Sequence, residues 1–173
     1  MSETAESAAV LASASVQRVQ AALAGHGAHG RIIVLDGAAR TAAEAAAGLG
    51  CAVGAIVKSL VFAHESQEGE KRPVMALVAG DRQCDVAALG RALGLDAPPG
   101  RADAALVRRA TGFAIGGVAP LGHVEALPIV IDDSLQRFPL LHAAAGHPHA
   151  VFPLSYSELV AWTGGKPAAI SAA

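Results

Sequence analysis

The sequence predicts an α+β fold with a mixed β-sheet flanked by helices. Short β-branched segments outnumber the clean strand–helix–strand crossovers that a doubly wound fold would need. Capped helical segments are scattered between them. The chain has 173 residues, 53% of them hydrophobic, the length of one domain with a sizeable core, and neither an internal repeat nor a long linker divides it. Residues 1–173 are therefore expected to form a single unit.

Val16, Val19, Gln20 and Leu23 fall at helical spacing before the stop Gly25-His26-Gly27, which predicts a helix over residues 13–24, with the first dozen residues frayed. Residues 31–35 form a short β-branched strand ending at Asp36-Gly37. Thr41 with Glu44 three residues on is a capping box, so residues 42–49 are helical and Gly50 closes them. Residues 55–63 are the strongest strand, and residues 73–79 its hairpin partner across the polar loop 65–72. Helices follow at 85–93, ended by Gly94, and at 104–110, capped by Asp103. After a glycine-rich stretch to Gly122, strands are predicted at 129–131, 139–143 and 150–152, then a helix from Ser155 or Ser157 to Trp162.

No window approaches the roughly eighteen apolar residues of a membrane span, and residues 1–9, with Glu3 and Glu6, lack the basic-then-apolar order of an export signal, so a cytoplasmic protein is expected. Cys51 and Cys84 are isolated, which argues against a disulfide framework or a zinc site. The net charge of −2 and the scarcity of aromatics, one Trp, one Tyr and four Phe, exclude a protein that holds nucleic acid mainly by neutralising phosphates or stacking bases. Any RNA contact must be local, and DNA is not an expected partner.

Lys58 is the most informative single residue. Side chains of a strand alternate, so its ammonium shares a face with Ile56, Leu60 and Phe62. A lysine among large apolar neighbours has either a partner or a task, or it sits at an edge and snorkels to water. The run Gly116-Gly117-Val118-Ala119-Pro120, continuing to Gly122, permits close backbone approach and can aim amide N–H groups at an oxyanion. A plain turn is the alternative. The run is neither GxGxxG nor a P-loop, and no GxSxG surrounds a serine. His147-Pro148-His149 has no third metal ligand at a recognisable spacing, Asp132-Asp133 suits a strand-ending turn, and Arg91, Arg101, Arg108 and Arg109 suit a solvated surface.

Taken together, these segments resemble the YbaK/ProX family of aminoacyl-tRNA deacylases, relatives of the editing domain inserted in bacterial prolyl-tRNA synthetase. Thr41-Ala42-Ala43-Glu44 is similar to the family's early helix, Ile56-Val57-Lys58-Ser59-Leu60-Val61-Phe62 to its lysine strand, and Gly112 to Gly122 to its glycine-proline loop. Leu127-Pro128-Ile129-Val130-Ile131-Asp132 and Ala144-Ala145-Gly146 are similar to its closing segments, so the resemblance is clearest over residues 41–162. It implies a largely antiparallel, barrel-like sheet curled around a pocket, and hydrolysis of the ester joining a small amino acid to the tRNA 3′ end. On this resemblance Lys58, Gly116 and Gly117 are the catalytic residues, with Thr41, Val118, Ala119, Pro120, Gly122 and Asp132 around the substrate. Neither metal nor cofactor is needed. The tyrosine and acidic residue carried by relatives that clear cysteinyl-tRNA have no clear match in Ile33-Val34-Leu35-Asp36 and His149-Ala150-Val151-Phe152.

The expected partners are mischarged tRNA and a recruiting aminoacyl-tRNA synthetase, the chain itself being a monomer or weak homodimer. Two other readings stay open: a non-catalytic module that binds a synthetase or a tRNA end, and a hydrolase of another small acyl ester.

Overall fold

A computed structural model describes residues 3–173 of the chain. Met1 and Ser2, the start of the segment read as lacking an export signal, lie outside the described residues. Along the chain run α1 (Glu3–Ala12), α2 (Ala14–Gly25), β1 (Ile33–Val34), α3 (Ala42–Leu49), β2 (Ile56–Glu65), β3 (Lys71–Ala79), β4 (Gln83–Cys84), α4 (Val86–Leu93) and β5 (Gly100–Arg101). Then follow α5 (Ala104–Thr111), β6 (Ile129–Asp132), β7 (Leu141–His147), β8 (Ala150–Leu154), α6 (Tyr156–Thr163), β9 (Lys166–Ala168) and β10 (Ser171–Ala172). Among the described residues no helix is long and apolar enough to cross a membrane.

Helix boundaries follow the local chemistry. Thr41 and Ser155 each complete a capping box with the glutamate three residues on, while Asp85 and Asp103 accept from the amides of Ala88 and Leu106 at 3.0 and 2.8 Å. One expectation fails at the N-terminus: within the first dozen residues, those described do not fray but form α1 (Glu3–Ala12), because Val10 and Leu11 pack against the main core. The predicted strand 139–143 begins two residues later and runs on to His147, since Pro139 and Leu140 are exposed on entry.

The main sheet has the order β1-β8-β7-β2-β3-β6-β9, with β5 added beside β2. Pairing is antiparallel for β1–β8, β7–β8, β2–β3 and β2–β5, and parallel for β2–β7, β3–β6 and β6–β9. The sheet is mixed and mostly antiparallel, as expected, but the barrel-like closure is not formed. Its two ends, β1 and β9, are edge strands of two and three residues, too short to continue the ladder round to each other.

β3 lies inside the sheet, between β2 and β6, and is buried on both faces. Met75, Leu77 and Ala79 join Val16, Val19, Phe113 and Leu159 on one side; Ala76 and Val78 join Leu89, Val130 and Ile170 under α4 on the other. Pro73 is tolerated in β3 because it lies opposite Ala63 at a position that needs no N–H toward β2. α3 packs on Ile56 and α5 lies near Val61 and Ala63, so two helices flank β2 at different heights.

Candidate active site

The wall of an apolar cleft follows from that arrangement. β2 supplies Ile56, Val57, Lys58, Ser59, Leu60, Val61 and Phe62, and α3 with the loop before it supplies Arg40, Thr41 and Ala42. α5 supplies Val107, β7 supplies His142 and Ala143, and the glycine loop supplies Ile115, Gly116 and Val118. The cavity measures about 880 Å³, in the range of small-molecule sites.

Lys58 is half-buried in this wall. Its ammonium donates to the main-chain carbonyl of Arg82 in the turn after β3. Burial holds its pKa below the usual lysine value, and the negative charge of Asp81 partly opposes that shift. Asp81 itself is fixed by two hydrogen bonds from Arg137, at 2.7 and 2.9 Å, which hold its carboxyl below the ordinary range. Thr41 Oγ1 accepts from the amide of Glu44 at 3.2 Å, leaving its own proton to donate. Ala39 gives its N–H to the Pro148 carbonyl at 2.6 Å, which ties the segment carrying Arg40 to the β7–β8 turn.

The glycine loop divides between the cavity and the core. Gly116, at φ +97°, faces the cavity with Arg40 alongside it, and Val118 faces it too. The remaining predicted loop residues do not line it. Gly117 is buried, donates its N–H to Ala114 at 3.1 Å, and leaves so little room that a Cβ would lie 3.0 Å from the His147 nitrogen. Its amide closes a turn and is not aimed at a ligand. Ala119 is fully buried and its carbonyl accepts from His123 Nε2 at 2.7 Å. Pro120 is buried beside it, and Gly122 packs on the backbone of Arg18 in α2.

Asp132 is placed elsewhere. It lies at the end of β6, 1% exposed, and accepts from the Ile170 amide at 3.0 Å, the Ser171 hydroxyl at 2.7 Å and the Ser134 hydroxyl. It ties the C-terminal segment to the sheet and does not line the cavity.

Two polar residues of the wall were not singled out from the sequence. His142 is 8% exposed and its Nδ1 is buried without a hydrogen-bond partner among the described residues; burial lowers its pKa, so the ring is neutral near pH 7. It pairs in register with Ile56, so it shares the face of Lys58. The Ser59 hydroxyl is likewise buried and unpartnered. The signal that exposed Lys58, a polar side chain within an apolar strand, was present at both positions. The pair His147 and His149 stand with ring centroids 5.5 Å apart, His147 Nδ1 already accepting from the His149 amide.

An ammonium, a neutral imidazole and a main-chain glycine thus converge on one largely apolar cleft, a set suited to polarising a carbonyl and stabilising an oxyanion. A sequence profile of the aminoacyl-tRNA editing domain matches residues 36–161, which include every one of these groups. The chain belongs to the aminoacyl-tRNA editing domain family. This editing domain is similar to a solved structure described as a candidate trans-editing enzyme for prolyl-tRNA synthetase, at 40% identity and a TM-score of 0.82, over 93% of this chain and 99% of the other. A second similar structure comes from work on epitope backbone grafting onto scaffold proteins by computational design, at 37% identity and a TM-score of 0.81 over the same shares. A third, described only as a hypothetical protein, matches at 28% identity and a TM-score of 0.78 over 90% of this chain and 99% of the other.

Proposed function

We propose that the protein deacylates mischarged aminoacyl-tRNA carrying a small amino acid, acting in trans as one editing unit. The observation that carries this reading is that Lys58 and Gly116, 58 residues apart in sequence, line the same cavity. In this account Lys58 holds the ribose–phosphate region of the terminal adenosine. The Gly116 amide meets the ester carbonyl oxygen as negative charge develops. Water adds to the carbonyl carbon, the bond to the ribose oxygen breaks, that oxygen takes the proton, and free amino acid and tRNA leave. A substrate hydroxyl assists the water. Thr41 and Val118 border the bound group, and Gly117, Ala119, Pro120 and Gly122 act by shaping the loop that presents Gly116.

The small side chains Ala42, Ala143 and Val118 support a small amino acid, and such a wall separates homologues poorly by a single methylene. The similarity to a candidate trans-editing enzyme for prolyl-tRNA synthetase supports action beside that synthetase, and the net charge of −2 fits transient tRNA contact.

The test is a panel of mischarged tRNAs incubated with purified protein, with release of the amino acid followed. Release of small amino acids is expected. Protection of the ester from spontaneous hydrolysis, without release, would establish the non-catalytic binding module instead, and release from free esters but not from charged tRNA would establish a general acyl-ester hydrolase.

A further inference from the structure

The cavity contains a stretch of strand with nothing paired on one side. β7 runs beside β2 through Ile56 with His142 and Val57 with Ala143, and then leaves it. β5 joins the same side only at Phe62 and Ala63. Among the described residues, 58–61 therefore have a strand partner on the β3 side alone.

The hydrogen-bond phase determines which groups face the gap. Gly80 donates its N–H to the Ile56 carbonyl at 2.8 Å, so Ile56, and by alternation Lys58 and Leu60, turn their main-chain groups toward β3. Ser59 and Val61 turn theirs the other way. Two further observations give the same phase. Pro73, without an N–H, stands opposite Ala63; Met75, opposite Val61, gives its N–H to Pro128 at 2.8 Å and not to β2. Among the described residues, the N–H and C=O of Ser59 and the N–H of Val61 thus point where no strand lies, on a segment that lines the cavity, while the Val61 carbonyl faces the chain at Ala102 just past β5. An unpaired strand edge is a template for another backbone, and polar main-chain groups in a half-dry cleft are costly until something meets them.

We propose that this unpaired edge of β2 binds the aminoacyl group itself: the Ser59 carbonyl receives the α-amino group and the Ser59 N–H is given to the ester carbonyl, as a facing strand residue would arrange them. The proposal rests on the deacylation reading of the cavity. An aminoacyl group is one residue, with a donor on its nitrogen and an acceptor on its carbonyl, and two opposed residues of a narrow antiparallel pair exchange those two bonds. The second lone pair of the ester carbonyl stays free for Gly116, and the Ser59 hydroxyl, buried without a partner, supplies a third contact. Main-chain recognition is blind to the side chain. Residues facing each other in a ladder share a face, so the substrate side chain projects with that of Ser59 onto the side of Val57 and Ala143, where its size is judged.

Amide hydrogen exchange on the full chain tests this directly. In the free protein the Ser59 and Val61 amides exchange fast while those of Lys58 and Leu60 are protected. Adding 3′-deoxy-3′-(L-alanylamido)adenosine, a mimic that resists hydrolysis, slows the Ser59 amide at least about tenfold, and the 3′-propionamido analogue, lacking the amino group, binds about tenfold more weakly. Ser59→Ala weakens binding of the alanyl mimic several-fold without lowering the melting temperature. Equal binding of the two analogues, or binding that leaves Ser59 exchange unchanged, overturns the proposal, as does failure of the mimic to bind a preparation that deacylates charged tRNA. A preparation inactive on the whole tRNA panel rejects the deacylation reading, and this proposal with it.

Discussion

The ammonium of Lys58 donates to the carbonyl oxygen of Arg82, 24 residues along the chain, across the turn that ends β3. That bond uses one of three ammonium protons and leaves two for a ligand. Lys58→Ala is expected to lower kcat/KM by about a hundredfold or more. Its melting temperature should stay near that of the parent, since Arg82 lies in a partly exposed turn where water can replace the ammonium. Lys58→Arg does not restore the rate, because a planar guanidinium is not a compact point charge. Single-turnover deacylation and a thermal melt check both, and an unimpaired Lys58→Ala enzyme removes the residue from the site.

Asp132 separates a structural from a substrate role. Asp132→Ala leaves the Ile170 amide and two serine hydroxyls without their acceptor, and is expected to cost about 3 kcal/mol, in the range for breaking a buried polar network. Urea unfolding measures the loss. At low temperature, where the variant is folded, KM for charged tRNA should be unchanged; a raised KM with unchanged stability would return Asp132 to the substrate.

Stability should fall as the medium is acidified through the histidine range. Burial holds His142 and His123 below the ordinary histidine value, and His147 too, where His149 and Arg40 add to the effect. The unfolded chain therefore takes up these protons first, so stability is complete above a pH of about 6.5 and is lost as the pH drops through it. The lowered carboxylates Asp81 and Glu158 act in the acid range, below this window. Urea midpoints at pH 7.5 and 5.5 should show the drop, and His142→Asn should make it shallower. An unaltered slope would mean that His142 titrates as a free histidine.

Gly117 should be intolerant of a side chain for a packing reason. A Cβ there stands 3.0 Å from the His147 nitrogen and 3.2 Å from the Gly146 carbonyl carbon, backbone atoms that cannot rotate away. Gly117→Val is expected to cost about 2–3 kcal/mol by overpacking and to lower activity by displacing Gly116 and Val118. Gly116→Ala meets only the flexible Arg40 side chain, at 3.4 Å, but is strained at φ +97°. Activity should therefore fall in both, with the larger drop in melting temperature for Gly117→Val. A Gly117→Val protein with full stability would contradict this packing.

The lysine strand was legible because two local rules agreed, a β-branched run with alternating faces and a hairpin partner close in sequence. β9, holding Pro167 in three residues, and β10, of two residues, gave no such signal. Within the glycine loop the sequence marked the segment but not the division of labour. Gly116 and Gly117 are the same residue type, and only packing against β7 turns one to the cavity and the other into the core.

The sequence alone determined the capped helices, the β2–β3 hairpin and a lysine on an apolar face, because caps and alternation act over a few residues. Tertiary structure decided the parallel pairing of β2 with β7, which joins Ile56 to His142 across 86 positions, and the parallel pairings of β6. It also decided the open sheet, the burial of Asp132 and the unpaired edge at Ser59 and Val61. Parallel partners are joined by long connections whose closure leaves no mark on either strand, so where one strand departs from another depends on the packing of the whole chain.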